Sequence, residues 1–405
     1  MLARFLSCLL LLALGTGCSP RVLWVGIDSG NWATIDPLIE AGHLPVMERL
    51  VAHGVRADLD CEPAWPAFSC HCPPVWMSQF TGQPKSVHNM SLINSGPLKR
   101  VVASLWDVHR AHRGQTTLLS LHNLWPPEQD VSTDVVLTEY GAEFLAAEHA
   151  GIYEFRPSEG GSLAADRPET WTKPPFLFEA LGMDQEPAEC TNDNRAQAKD
   201  RLSRRMLTRL AEEKAHLEWW ERPSELDVIL LHAPDKNAHV SWGALEAVPN
   251  DPVMIDEAAL LGQAQANTGN LCLPPPFQWG QVADDLMEID RWLGELLEII
   301  EYDYVVITSD HAMSRSPQPF ALVSGVHNTS AAFDGMFLMY GPGLVNEGLD
   351  LGRLTVHDVA PQVAYALGLP IAEDLAGQLV PEIFTDDRML IPPVFVETWA
   401  DYYPY

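Results

Sequence analysis

The chain keeps returning to one pattern: a short run of apolar residues, a polar turn, then a longer amphipathic stretch. Val22–Ile27, Thr116–Leu121, Asp227–Leu231, Tyr304–Thr308 and Met336–Tyr340 have the length and branched composition of strands. Thr34–His53, Lys199–Trp220, Gln281–Ile300 and His357–Leu367 have helical spacing. Strands this apolar are buried on both faces, and intervening helices supply the cover. The expectation is an α/β fold, a three-layer αβα sandwich with a mostly parallel central sheet. Two stretches, near 125–200 and 243–280, are rich in Pro, Gly, Asn and acidic residues and read as cap-like insertions.

Three of the strand segments lead into an aspartate. Asp28 follows Val22–Ile27, Asp235 comes shortly after Asp227–Leu231, and Asp310 comes after Tyr304–Thr308. In a parallel sheet the carboxyl ends share one edge, where ligands bind in open α/β folds. One such Asp is ordinarily a turn residue or helix cap. Three on one edge would repel one another unless something positive sat between them. His239 stands four residues after Asp235, which puts both on one side of a helical turn. His311 follows Asp310 directly, and His327 lies in a later loop. Three carboxylates and three imidazoles form a mixed oxygen and nitrogen set that suits zinc, with manganese as the alternative.

The order of these segments resembles the type I phosphodiesterase/nucleotide pyrophosphatase family of the alkaline phosphatase superfamily. RVLWVGIDSGNWATIDPLIEAGHLPVMERLVAHG is similar to the family's opening strand and helix, PPVWMSQFTG to the segment after the nucleophile, and LLHAPDKNAH to the stretch holding one Asp and one His. VVITSDHAMS, VSGVHNTSAAFDGMFLMYGPG and HDVAPQVAYALGLPIAEDLAGQ resemble the later blocks, in family order. The resemblance implies that Asp235, His239 and His327 hold one ion, and that Asp28, Asp310 and His311 hold the other. It implies metal-dependent hydrolysis of a small phosphate ester: a phosphodiester, a nucleotide pyrophosphate or a phosphomonoester.

The nucleophile position departs from that family. Its Thr or Ser is replaced by Cys72, ten residues before Gly82 and two before Pro74. Cys72 is then a thiolate nucleophile, a precursor of formylglycine as in related sulfatases, or the mark of an inactive metal-binding pseudoenzyme. Trp76 stands where the sulfatase motif has arginine, which counts against the modification. A structural reading makes Cys72 a disulfide partner of Cys61, Cys190 or Cys272. Ser69 and Ser78 are nucleophile alternatives only if the spacing shifts. Asn94 lies where relatives place an asparagine donating to the phosphoryl oxygen. His88 reads as structural, and Asn89 replaces a family glycine at a position where Asn tolerates left-handed angles. Trp219-Trp220 reads as core.

Composition sets the remaining limits. The 405 residues carry 55 acidic against 25 basic side chains, a formal charge of −30, which disfavours nucleic acid as a partner. Arg4, the apolar run Phe5–Leu14 and the small residues before Cys18 read as a signal over 1–17, too short to span a bilayer. Its end resembles a lipoprotein box, so lipidation of Cys18 would anchor a periplasmic or cell-envelope protein; the alternative is secretion. Cys61, Cys70, Cys72, Cys190 and Cys272 would then allow two disulfides with one thiol left over. A single catalytic domain is expected over 18–390, followed by a tail over 391–405.

Overall fold

A computed structural model describes residues 20–61, 70–90, 100–122, 124, 134–139, 141–142, 145–146, 171–173, 176–185, 195–213, 224–245, 282–315, 325–327 and 332–403. Cys18, Asn94, Ser69, Cys190, Cys272, Trp219-Trp220 and nearly all of 243–280 lie outside these residues. The sheet strands, in chain order, are β1 (Val22–Ile27), β2 (Val55–Asp60), β3 (Thr116–Leu121), β4 (Asp134–Thr138), β5 (Thr172–Lys173), β6 (Leu226–Leu231) and β7 (Tyr304–Thr308). A small hairpin, β8 (Ser314–Arg315) with β9 (Gly325–Val326), precedes β10 (Asp334–Tyr340) and β11 (Leu349–Thr355). Among the described residues, nine strands form one sheet in the order β11-β2-β10-β7-β1-β6-β3-β4-β5. Only β10 and β5 run against the rest, so the sheet is mostly parallel.

β1 shows why this is a three-layer sandwich. Alternate side chains of a strand point to opposite faces, and every residue of β1 is buried. Leu23, Val25 and Ile27 enter one core with helices α1 (Trp32–Glu40), α2 (Pro45–Ala52), α5 (Arg195–Glu213) and α7 (Val282–Ile299). Val22 and Trp24 enter the other with α3 (Cys72–Thr81), α4 (Leu105–Ala111) and α8 (Val359–Leu367). A further helix, α6 (Ala233–Leu245), follows β6. Each fully buried Leu, Val or Ile in these layers contributes about 1.5–3 kcal/mol.

Gly26 faces the second core and is tightly enclosed. A Cβ there would stand 2.5 Å from Leu230 Cδ1 and 2.8 Å from the Trp76 ring. Trp76 is thus a core residue, stacked on Phe80.

Several elements depart from the sequence reading. The expected helix Thr34–His53 is two helices, because Gly42 turns left-handed (φ 77°) and Pro45 opens a new first turn. β2 alternates buried and half-buried residues with Arg56, Asp58 and Asp60 on the outer side, a weaker signal than a buried run. The stretch 125–200 supplies β4 and β5 to the sheet edge as well as the start of α5, so part of it is sheet rather than cap. Residues 395–396 of the expected tail pair in parallel with Ile371-Ala372.

Candidate metal centre

Adjacent strands deliver the site. β7, β1, β6 and β3 are consecutive in the sheet, and their carboxyl ends lead to Asp310, Asp28, His232 and His122. Asp235 lies in the first turn of α6. The start of that helix is fixed from α5, where Asp200 accepts the backbone N–H groups of His232 (2.9 Å) and Ala233 (2.7 Å). Burial pushes the Asp200 carboxyl up to about 6 despite these bonds. Asp285 on α7 accepts side-chain hydrogen bonds from Gln197 on α5 and Asn237 on α6, tying the three helices together.

Cys72 is the first residue of α3, buried and free. Its Sγ stands 3.3 Å from His311 Nε2. The disulfide in this region joins Cys61 to Cys70, with Cα atoms 6.0 Å apart, so the disulfide reading of Cys72 is corrected. That bond ties the end of β2 to the entry of α3, two residues before the thiol. Ser78 points elsewhere, its hydroxyl 3.0 Å from His88 Nε2. His88 is buried and also accepts from the Met90 N–H, a structural role, and Asn89 after it adopts φ 64°.

The six expected ligands come together with Cys72 among them. Ligand atoms of Cys72, Asp235, His311 and His327 lie within 4.8 Å of one another, as do those of Asp28, Cys72, Asp310 and His311. His311 Nδ1 is 2.9 Å from the Ala312 carbonyl, which places the proton there and turns the Nε2 lone pair inward. That Nε2 stands 3.2 Å from Asp310 Oδ2 and 3.7 Å from Asp28 Oδ1. His239 repeats the arrangement, with Nδ1 2.9 Å from the Gly325 carbonyl and Nε2 3.5 Å from Asp235 Oδ1. His327 stacks on His311 with ring centroids 4.2 Å apart. Fixing one ring nitrogen so that the other faces a carboxylate is how proteins orient metal-binding histidines.

The electrostatics fit divalent cations. Burial, then Asp235, pushes Asp310 up to about 7. Burial, with Asp310 and Asp235 beside it, raises Asp28 well above the carboxylate range. Burial opposes ionisation of Asp235 as well, but Lys236, His239, His311 and His327 together hold it low. Burial and His311 push His327 down to about 3, the neutral form a ligand needs. Both Asp28 oxygens and Asp310 Oδ2 are buried without a hydrogen-bond partner. Unpartnered buried carboxylates facing imidazole lone pairs are costly unless cations lie between them.

Three residues here went unread in the sequence. Ser29 adopts φ 67°, and its hydroxyl lies 3.2 Å from both Asp235 Oδ1 and His311 Nδ1, while its N–H is 3.4 Å from Asp310 Oδ1. Only its place directly after Asp28 signals this. His122 and His232 each directly follow a strand, the same signal that singled out Asp28.

The model of the family described as type I phosphodiesterase / nucleotide pyrophosphatase matches residues 22–334. No curated protein sequence matches significantly. Among solved structures, an inactive form of murine ectonucleotide pyrophosphatase/phosphodiesterase 5 in complex with AMP is similar at 11% identity, covering 90% of this chain and 100% of that one, with TM-score 0.49. The phosphonate monoester hydrolase SpPMH from Silicibacter pomeroyi is similar at 15% identity, covering 90% of this chain and 76% of that one, with TM-score 0.49. Ps i-CgsB is similar at 13% identity, covering 89% and 75%, with TM-score 0.50.

Proposed function

Because this chain belongs to the type I phosphodiesterase / nucleotide pyrophosphatase family, whose members are phosphoric ester hydrolases, we propose that it hydrolyses small phosphate esters at a two-ion site with the Cys72 thiol as the attacking group. The observation that carries this reading is the place of Cys72, whose Sγ belongs to both clusters of ligand atoms. Asp235, His239 and His327 would hold one ion, and Asp28, Asp310 and His311 the other, with zinc favoured by the imidazole content over manganese. Bound ions would offset the three carboxylates, favour the thiolate and polarise the phosphoryl oxygens.

The chain's own groups set the rest. Burial and then Asp28, Asp310 and Asp235 push the Cys72 thiol well up, so the thiol stays protonated without added positive charge. As a thiolate, Sγ attacks phosphorus while the bond to the leaving oxygen breaks, and that oxygen takes a proton from water. A second water then attacks the phosphoryl group, the S–P bond breaks and the thiolate returns. Before ionisation the Cys72 S–H donates to the Nε2 lone pair of His311, 3.3 Å away, which holds the sulfur in place. The start of α3 gives little backbone help, because Pro73 and Pro74 have no N–H and only Cys72 among these three can donate. Donors to the phosphoryl oxygens must come from elsewhere, and Asn94 is the proposed side chain.

Formylglycine is disfavoured by Trp76, which fills the core under Gly26 where the sulfatase motif would need an arginine. Export across a membrane, with Cys18 lipidated, is part of the same proposal. The Cys61–Cys70 disulfide supports an oxidising compartment, and among the described residues no helix is long and apolar enough to cross a membrane. The test is hydrolysis of a chromogenic phosphodiester by the zinc-loaded protein and by its Cys72→Ala variant. Turnover by the parent and none by the variant is expected. Metal binding without turnover in either would leave an inactive metal-binding protein.

A further inference from the structure

Asp28 has a second set of neighbours that the two-ion site does not use. β1, β6, β3 and β4 are consecutive in the sheet, and directly after their last residues come Asp28, His232, His122 and Glu139. Asp28 Oδ1 looks toward His311. Oδ2 lies 3.5 Å from His232 Nδ1 and 4.0 Å from His122 Nε2. Asp28 and His232 are fully buried and His122 is nine-tenths buried. None of these facing atoms, including both oxygens of Asp28, has a hydrogen-bond partner.

The other nitrogen of each ring is anchored. His232 Nε2 donates to the Ser120 carbonyl at 2.8 Å, and His122 Nδ1 donates to Glu139 Oε2 at 2.7 Å. Lys199 Nζ, 3.5 Å from Glu139 Oε1, steadies that carboxylate. Ser120 presents its carbonyl from a left-handed conformation, φ 59°, at a register irregularity in β3 between Leu119 and Leu121. A non-glycine residue is strained there and persists where the surroundings require it. With their protons committed outward, two imidazole lone pairs and a carboxylate oxygen converge on one buried point.

The geometry points to a third divalent-cation site, formed by Asp28, His122 and His232 and joined to the paired site through Asp28. The separations discriminate between an ion and a direct hydrogen bond. A His–Asp hydrogen bond closes to about 2.7–3.2 Å, and both distances here are longer. Ligands ~2.1 Å from a tetrahedral ion stand about 3.4 Å apart, close to the 3.5 Å observed for Asp28 and His232. Two imidazoles and one carboxylate match zinc, and the anchoring of the distal nitrogens by Ser120 and Glu139 is the outer shell such a site requires.

The experiment is a metal count. The full chain is stripped with chelator, dialysed against zinc, passed through gel filtration to remove weakly held surface ions, and analysed for zinc per chain. The parent is expected to hold about three ions, a His122→Ala/His232→Ala variant about two, and a His239→Ala/His327→Ala variant also fewer than the parent. A parent count of about two, unchanged in the His122/His232 variant, overturns the third site and leaves the paired site standing. A count of about three that the His122/His232 variant retains overturns it equally. Loss of a single ion by the His122/His232 variant from a parent holding fewer than three would support this site and show that the paired site holds fewer than two ions. Glu139→Gln guards against misfolding, since it keeps every ligand. It should weaken the last-bound zinc about 10–100-fold while the saturated count holds, and unchanged affinity argues against the site.

Discussion

Nε2 of His311 stands 3.3 Å from Sγ of Cys72, on a ring whose Nδ1 faces the Ala312 carbonyl and the Ser29 hydroxyl. His311 is the one imidazole present in both ligand clusters that contain Cys72. Replacing it by alanine removes a donor from each. Zinc affinity and kcat/KM toward a chromogenic phosphodiester should each fall about 100-fold or more. Zinc titration in a chelator buffer measures the first and initial rates the second. A His311→Ala protein that keeps both within about threefold would place the chemistry elsewhere.

The position of Asp235 depends on a residue far from it in sequence. Asp200 receives the N–H groups of His232 and Ala233 at the start of α6, and Asp235 lies in that first turn. Asp200→Ala leaves two buried donors unpartnered, and capping losses of this kind cost about 1–2 kcal/mol. The urea midpoint should drop accordingly, and zinc should bind more weakly although no ligand has changed. Asp200→Asn, which keeps one acceptor, should lose less. An unaltered midpoint in Asp200→Ala would show that α6 is set by packing alone.

How much of this was legible follows from where the burial lies. β1, β3 and β7 coincide with their apolar runs because every residue in them is buried, which leaves no polar alternation to blur the ends. The gathering of Asp28, Asp235 and Asp310 followed from parallel strands sharing a carboxyl edge. β2 escaped because half of its residues face outward as Arg56, Asp58 and Asp60. β4 escaped because five residues amid proline-rich and acidic sequence are too short to register. His122 and His232 were within reach, since each closes a correctly read strand. Their partners were not, because the Ser120 carbonyl and Glu139 enter through a register irregularity and an unread strand.

Gly26 tests how rigidly the sheet holds the site. It lies two residues before Asp28 in the central strand, and a Cβ there would meet Leu230 at 2.5 Å and Trp76 at 2.8 Å. Trp76 is itself held by Phe80 and the second core, so it has little room to withdraw. Gly26→Ala should cost about 1–3 kcal/mol by overpacking, seen as a lower thermal midpoint with altered tryptophan fluorescence. Unchanged thermal stability would mean that α3 shifts freely against β1.

Asp285 gives the pH prediction, and it lies away from the metal ligands on α7. Burial pushes its carboxyl up to about 8 although Gln197 and Asn237 both donate to it, against an ordinary value of about 4. Between those two values the folded chain holds a proton that the unfolded chain has released, so stability falls as pH rises. The contribution is complete below about pH 4 and lost as the pH passes about 8, with a limiting slope of about 1.4 kcal/mol per pH unit. Asp285→Asn stays neutral throughout and cannot supply that slope. Urea midpoints of the metal-free proteins, compared from about pH 5 to pH 8, should therefore fall more steeply for the parent than for Asp285→Asn. Parallel curves would mean that Asp285 is ionised in the folded chain, its charge carried by the two amides.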